Sequence, residues 1–238
     1  MSRGASIQVC DSYGQNALMV AAKNGHVNEV KLLLDKGAVA DVQDKAGWTA
    51  LMCAVSTGKT DVVRLLLDRG ASVYMRNAVN STTLIIACGN GHADTAELLL
   101  QRGALVDARD NAGWTALMEA LCYGHAEAAD VLLKHGASVH VLDMNGLTTL
   151  MIAAKRGNVE CVGLMLNAGV PVDKCNDFGM TALMYAAHEA NAGAARLLLE
   201  HGASVTAVDQ FNRTVLDHAI LGDNQQIIGM LFAHGLKK

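Results

Sequence analysis

The chain has 238 residues, 51% of them hydrophobic and 18% charged, with a formal net charge of −4, enough apolar material for a core and too little charge for a disordered polyampholyte. An acidic chain has no bulk electrostatic reason to bind nucleic acid or an anionic membrane, and no apolar run reaches the ~18 residues that a membrane-spanning helix needs. Six cysteines without a Cys-x-x-Cys pair point to reduced thiols in an intracellular protein, cytoplasmic or nuclear, and away from a disulfide framework or a zinc site.

Taken in order, Met1 to Cys10 contains one arginine and no apolar h-region, so no signal peptide is expected. Arg3-Gly4-Ala5-Ser6-Ile7-Gln8-Val9-Cys10 matches the end of a later unit, Arg69-Gly70-Ala71-Ser72-Val73. Residues 1–10 therefore read as a partial repeat, finger only, and suggest a segment of a longer array. From Asp11 onward the sequence repeats. Leucine recurs at 18, 51, 84, 117, 150, 183 and 216, alanine at 21, 54, 87, 120, 153, 186 and 219, and glycine at 37, 70, 103, 136, 169, 202 and 235, all in steps of 33. The units are 11–43, 44–76, 77–109, 110–142, 143–175, 176–208 and 209–238.

Each unit predicts two short helices and a hairpin. Asn16, then Thr49, Thr82, Thr115, Thr148, Thr181 and Thr214, stand where an N-cap would satisfy the first amides of helix one. Leucine and alanines then follow at helical spacing, as in Leu18, Ala21 and Ala22, the alanines small enough for neighbouring helices to approach closely. Gly25, Gly58, Gly91, Gly124 and Gly157 end that helix in the left-handed region. A second apolar run such as Leu32-Leu33-Leu34 makes helix two, and an extended stretch leads to the next Asp-x-x-Gly turn.

A 33-residue period carrying Asp-x-x-Gly-x-Thr-x-Leu, Gly-His and Leu-Leu-Leu-x-x-Gly-Ala resembles the ankyrin repeat, over residues 11–238 and, with the partial unit, nearly the whole chain. The resemblance implies an all-α ankyrin-repeat solenoid of stacked helix-turn-helix units with short β-hairpin fingers, each unit touching only its neighbours. The family's Thr-Pro-Leu-His is here Thr-Ala-Leu-Met in units two, four and six, which exchanges a polar group for adaptable apolar volume. Ala190 and Asp223 replace the helix-ending glycine in the last two units; at Ala190 a retained left-handed backbone costs about 1–2 kcal/mol. Units six and seven are therefore expected to fray first.

The resemblance further implies that partners bind the concave face, through finger tips and the exposed edge of helix one. Those positions hold Lys23, Lys45, Arg76, Arg109, Lys155, Arg156 and Arg213 against Asp177 and Glu189, a balance of +5 on a chain of −4. Among them stand Tyr13, Trp48, Trp114, Tyr123, Leu147, Phe178, Met180 and Phe211. Tryptophan, tyrosine and arginine are the residues most enriched in interface hot spots. The expected partner is a protein segment with apolar anchors and flanking acidic residues; nucleic acid is disfavoured, and no cofactor or metal is expected.

Other patterns are set aside. Ser56-Thr57-Gly58-Lys59-Thr60 imitates the tail of a phosphate-binding loop, but lies between two helices rather than after a strand. His26, His92 and His125 suit hydrogen bonds to the inter-repeat backbone, and His135, His201 and His234 suit helix C-termini. Glu119 and His218 fall on different layers and form no proton relay. Nothing assembles a nucleophile, base and oxyanion donor, so no enzyme is expected. The leading reading is a scaffold or adaptor that holds another protein. The alternatives are the substrate-targeting module of a larger kinase or ubiquitin ligase, and a structural spacer or cytoskeletal tether.

Overall fold

A computed structural model describes residues 9–235. They form seven helix-turn-helix pairs: α1 (Ala17–Asn24) with α2 (Val27–Asp35), α3 (Ala50–Ser56) with α4 (Thr60–Asp68), α5 (Thr83–Gly89) with α6 (Ala93–Gln101), α7 (Ala116–Tyr123) with α8 (Ala126–Lys134), α9 (Thr149–Arg156) with α10 (Val159–Asn167), α11 (Ala182–His188) with α12 (Ala192–Glu200), and α13 (Val215–Leu221) with α14 (Gln225–Ala233). The chain divides into two compact units. One runs up to Ala116 and includes Lys134–Gly136; the other comprises Leu117–Leu133 and the chain from Ala137 onward. Most of the partial repeat expected at 1–10 lies outside the described residues.

The caps sit where the sequence places them. Side-chain oxygens of Asn16, Thr49, Thr82, Thr148, Thr181 and Thr214 accept the backbone N–H three residues on, at 2.9–3.3 Å. Met19, Met52, Met118, Met151 and Met184 are buried at the start of their helices. Two of them do more than fill space. The sulfurs of Met151 and Met184 accept the backbone N–H of Thr148 and Thr181 at 3.5 Å, closing a capping box with a soft acceptor.

Before each pair the chain makes a tight turn, closed in one way seven times. The first residue of the turn accepts, on one side-chain oxygen, the amides two and four residues on: Asp11, Asp44, Asn77, Asp110, Asp143, Asn176 and Asp209. The fourth residue is left-handed, a glycine in five turns and Asn80 or Asn212 in the others. The fingers are turns with isolated antiparallel bridges at their bases, such as Arg76 to Thr82 and Val208 to Thr214.

Within the first unit α1 packs on α3 and α3 on α5, with α2, α4 and α6 forming the second row; in the second unit α9, α11 and α13 make one row and α10, α12 and α14 the other. Leu51, Ala54, Leu84, Ala87, Leu150, Ala153, Leu183 and Ala186 are fully or almost fully buried between them, each large side chain contributing roughly 1.5–3 kcal/mol by leaving water. Polar side chains also bridge pairs. Asn158 Nδ2 donates to the Gly124 carbonyl at 3.1 Å, Asn191 Nδ2 to Ala154 and Lys155 at 3.0 and 2.8 Å, and Asn224 Nδ2 to Ala190 at 3.0 Å. His92 stands in the same repeat position, its Nε2 3.3 Å from the Ser56 carbonyl. His201 and His234 bond the carbonyl four residues back, at 2.8 and 2.9 Å, as helix C-terminal histidines should. Ala190 and Asp223 keep the left-handed backbone, with φ of 59° and 50°.

Candidate functional site

Finger tips and the odd-numbered helices carry the residues expected to meet a partner. In the first unit, Tyr13 is exposed at its tip, and its carbonyl accepts the N–H of Lys45, itself exposed, at 3.0 Å. Asp44 fixes the backbone of Trp48, and Trp48 is half-buried beside a depression of about 270 Å³ lined also by Gln15, Lys23, Cys53 and Ser56. Trp114, equally half-buried, is held through its N–H by Asp110. No ring contact joins the two tryptophans among the described residues.

Two of the expected cations are engaged with backbone. Arg76 Nη1 donates to the carbonyls of Asn80 at 2.9 Å and Arg109 at 2.8 Å, stapling one finger to the next. Arg109 Nη1 donates to Gly113 at 3.1 Å. Gln43 holds the corresponding place one finger earlier, reaching Gly47 and Arg76 at 2.7 and 2.8 Å. The finger row of this unit is thus laced by side chains that composition alone counts as surface charge or polarity.

In the second unit, Tyr123 is exposed and stacks on His125 with ring centroids 6.3 Å apart. Arg156 lies against Cys122, Nη2 to Sγ 3.2 Å, and Leu147 is half-buried in its finger. Lys155, Phe178 and Met180 come together in a cleft of about 490 Å³. Phe211 and Arg213 of the seventh finger close its other side, with Tyr185, His188 and His218 contributed by α11 and α13. Phe178 and Phe211 are 47% and 68% exposed, so both rings are open to a ligand. Lys155 Nζ stands 5.6 Å from the centre of the Tyr185 ring, and the Arg213 guanidinium 4.9 Å from that of Phe211, both within cation–π range.

Two hydrogen bonds lock this cleft. Asn176 Nδ2 donates to Tyr185 Oη at 3.0 Å, and His218 Nε2 lies 3.1 Å from Asp209 Oδ2. Each ties the first residue of a finger to the same position on the following helix. Asp209 also accepts from the Phe211 and Arg213 amides and, at 2.7 Å, from Arg213 Nε. Burial pushes its carboxyl up, but these donors outweigh that and hold it at about 2. His218 is 2% exposed and its Nδ1 has no protein partner. Burial lowers the imidazole's pKa below the ordinary histidine value despite the hydrogen bond to Asp209. At neutral pH this favours the neutral ring, with Nε2–H donating to the carboxylate.

Tyr185 and His218 were not among the expected contacts. They share one repeat position, which holds Val20, Cys53, Ile86, Glu119 and Ile152 in the first five repeats and Tyr185 and His218 in the last two. Among the described residues, no group of three or more His, Cys, Asp or Glu side chains could hold a metal ion, and no helix is long and apolar enough to cross a membrane.

The family model described as ankyrin repeats in three copies matches residues 1–77, 70–143 and 150–238, and a second, of many copies, matches 123–166. The crystal structure of the human ASB11 ankyrin repeat domain is similar to this chain with a TM-score of 0.86 at 24% identity, over 94% of this chain and 100% of that one. No curated protein sequence matches significantly.

Proposed function

This chain belongs to the ankyrin-repeat family, whose modules generally bind other proteins, and we propose that it is a non-catalytic, intracellular scaffold or adaptor holding its partner on the face made by finger tips and odd-numbered helices. The observation that carries the reading is the exposure of aromatic rings there. Tyr13 and Tyr123 are 72% and 63% exposed, and such rings lose little conformational entropy on binding. Trp48 and Trp114 are half-buried, Lys45, Lys155 and Arg156 supply exposed positive charge, and Leu147 and Met180 supply half-buried apolar surface. Arg76 and Arg109 act differently in this reading: they stiffen the finger row and bring the guanidinium to its surface. Free cysteines throughout the described chain are compatible with a reducing compartment.

The test is affinity capture from cell extract with the wild type and a Trp48→Ala/Trp114→Ala variant, after both are shown to melt alike. Selective loss of the same few proteins from the variant supports a hot-spot site on this face. An identical set of proteins from both, or only weak contacts spread over many proteins, favours packing tryptophans and the spacer reading.

A further inference from the structure

We propose that the cleft bounded by the sixth and seventh fingers is the anchor site for the partner, taking an apolar side chain closely followed by a carboxylate; this rests on the protein-binding reading and specifies its chemistry. The apolar part follows from the walls. Phe178 and Phe211 present open rings from neighbouring fingers, and Met180 and Tyr185 are half-buried between them. At about 490 Å³ the cleft is within the range that receives a ligand group. The Asn176–Tyr185 and Asp209–His218 hydrogen bonds set the walls before binding, so little ordering remains to oppose association.

The acidic part follows from how the charges are spent. The Asp209 carboxylate is buried and accepts from four donors, two backbone amides, Arg213 Nε and His218 Nε2. It therefore has little field left to repel an incoming anion. Arg213 uses only Nε on that carboxylate, its side chain is 42% exposed, and its terminal nitrogens have no protein acceptor among the described residues. Lys155 is exposed and rests over the Tyr185 ring with no carboxylate in salt-bridge range. Glu189 is the exposed acid of the lining. The lining is balanced in formal charge, Lys155 and Arg213 against Asp209 and Glu189, but Asp209 is buried with its oxygens already taken. The donors left open at the rim are the Lys155 ammonium and the terminal nitrogens of Arg213, which favours an anionic acceptor beside the apolar anchor.

A random peptide library displayed on phage and selected on the intact chain tests this. Enriched peptides are expected to share an apolar residue beside Asp or Glu. Their synthetic forms, measured by fluorescence anisotropy, should lose roughly tenfold or more in affinity with Phe211→Ala or Phe178→Ala. Replacing the peptide acid by its amide, or Lys155 by Glu, should weaken binding in the same direction. Both phenylalanines are exposed, so unchanged melting checks that the variants fold. Failure to enrich any peptide, indifference to both phenylalanine variants, or indifference to the acid-to-amide change overturns the proposal. Peptides released by Trp48→Ala or Trp114→Ala but not by Phe211→Ala would overturn the cleft alone and leave the protein-binding reading standing.

Discussion

His218 shows how one buried side chain ties local geometry to solution behaviour. Its ring is neutral in the fold because burial disfavours the charged form, with Arg213 and His188 acting in the same direction and Asp209 partly opposing them. The unfolded chain therefore takes up the proton more readily. Stability is complete above the ordinary histidine pKa and is lost as pH falls below about 6.5. The depressed carboxyl of Asp209 acts in the same sense further down: its contribution is present above the usual carboxylate range and fades as pH falls toward about 2. Melting temperature should consequently decline between pH 7.5 and pH 5.5, and His218→Asn should flatten that decline whatever it does to stability at neutral pH. An unchanged slope in the variant would assign the pH dependence to other groups. None of this was legible in the sequence, where His218 is one more substitution at a repeat position that already holds Val20, Cys53, Ile86, Glu119, Ile152 and Tyr185. Its partner, Asp209, was recognisable as a turn residue, but a turn motif does not reveal which helix position the carboxylate's second oxygen will meet.

Individual helix pairs were far more legible, because their determinants are local. An amide or hydroxyl oxygen at the N-cap, Leu-x-x-Ala on one face and a left-handed residue at the exit fix each odd-numbered helix within a dozen residues or so, and the fold follows them. The exceptions are equally local. Ala190 remains left-handed without being glycine, and Ala190→Gly should stabilise the protein by about 0.5–1 kcal/mol, the relief of strain exceeding the added backbone entropy. Gly157→Ala should do the reverse and cost more than that relief. At φ 74° an added Cβ would also collide with Asn191, whose amide bonds Ala154 and Lys155. Urea denaturation of the two variants measures both signs. What the pattern concealed was the use made of side chains between elements. Arg76 and Arg109 enter a sequence count as surface cations, yet both donate to finger carbonyls. The sulfur caps of Met151 and Met184 arise because a flexible thioether can fold back on its own helix start, a conformation that residue type alone does not specify.

For the molecule as a whole, stability should grade with the number of neighbours each pair has. Leu66 in α4 is fully buried with helices on either side in its row, whereas Leu216 in α13 is half-buried in the last pair. Leu66→Ala should cost about 3–4 kcal/mol and Leu216→Ala well under half of that; equal losses by denaturation would contradict the graded picture. The distribution of cysteines makes this gradation readable without any substitution. Cys53 and Cys88 are buried in the first unit and Cys122 and Cys161 in the second, while Cys10 and Cys175 are exposed. Burial pushes the thiols of Cys53 and Cys161 up to about 11 and that of Cys88 higher still, so they hold almost no reactive thiolate at neutral pH. After the exposed pair is blocked, the rate at which an alkylating reagent marks each remaining sulfur becomes a clock for the opening of its own neighbourhood. Read by peptide mass spectrometry, the order of marking ranks the two units by how often each lets solvent in.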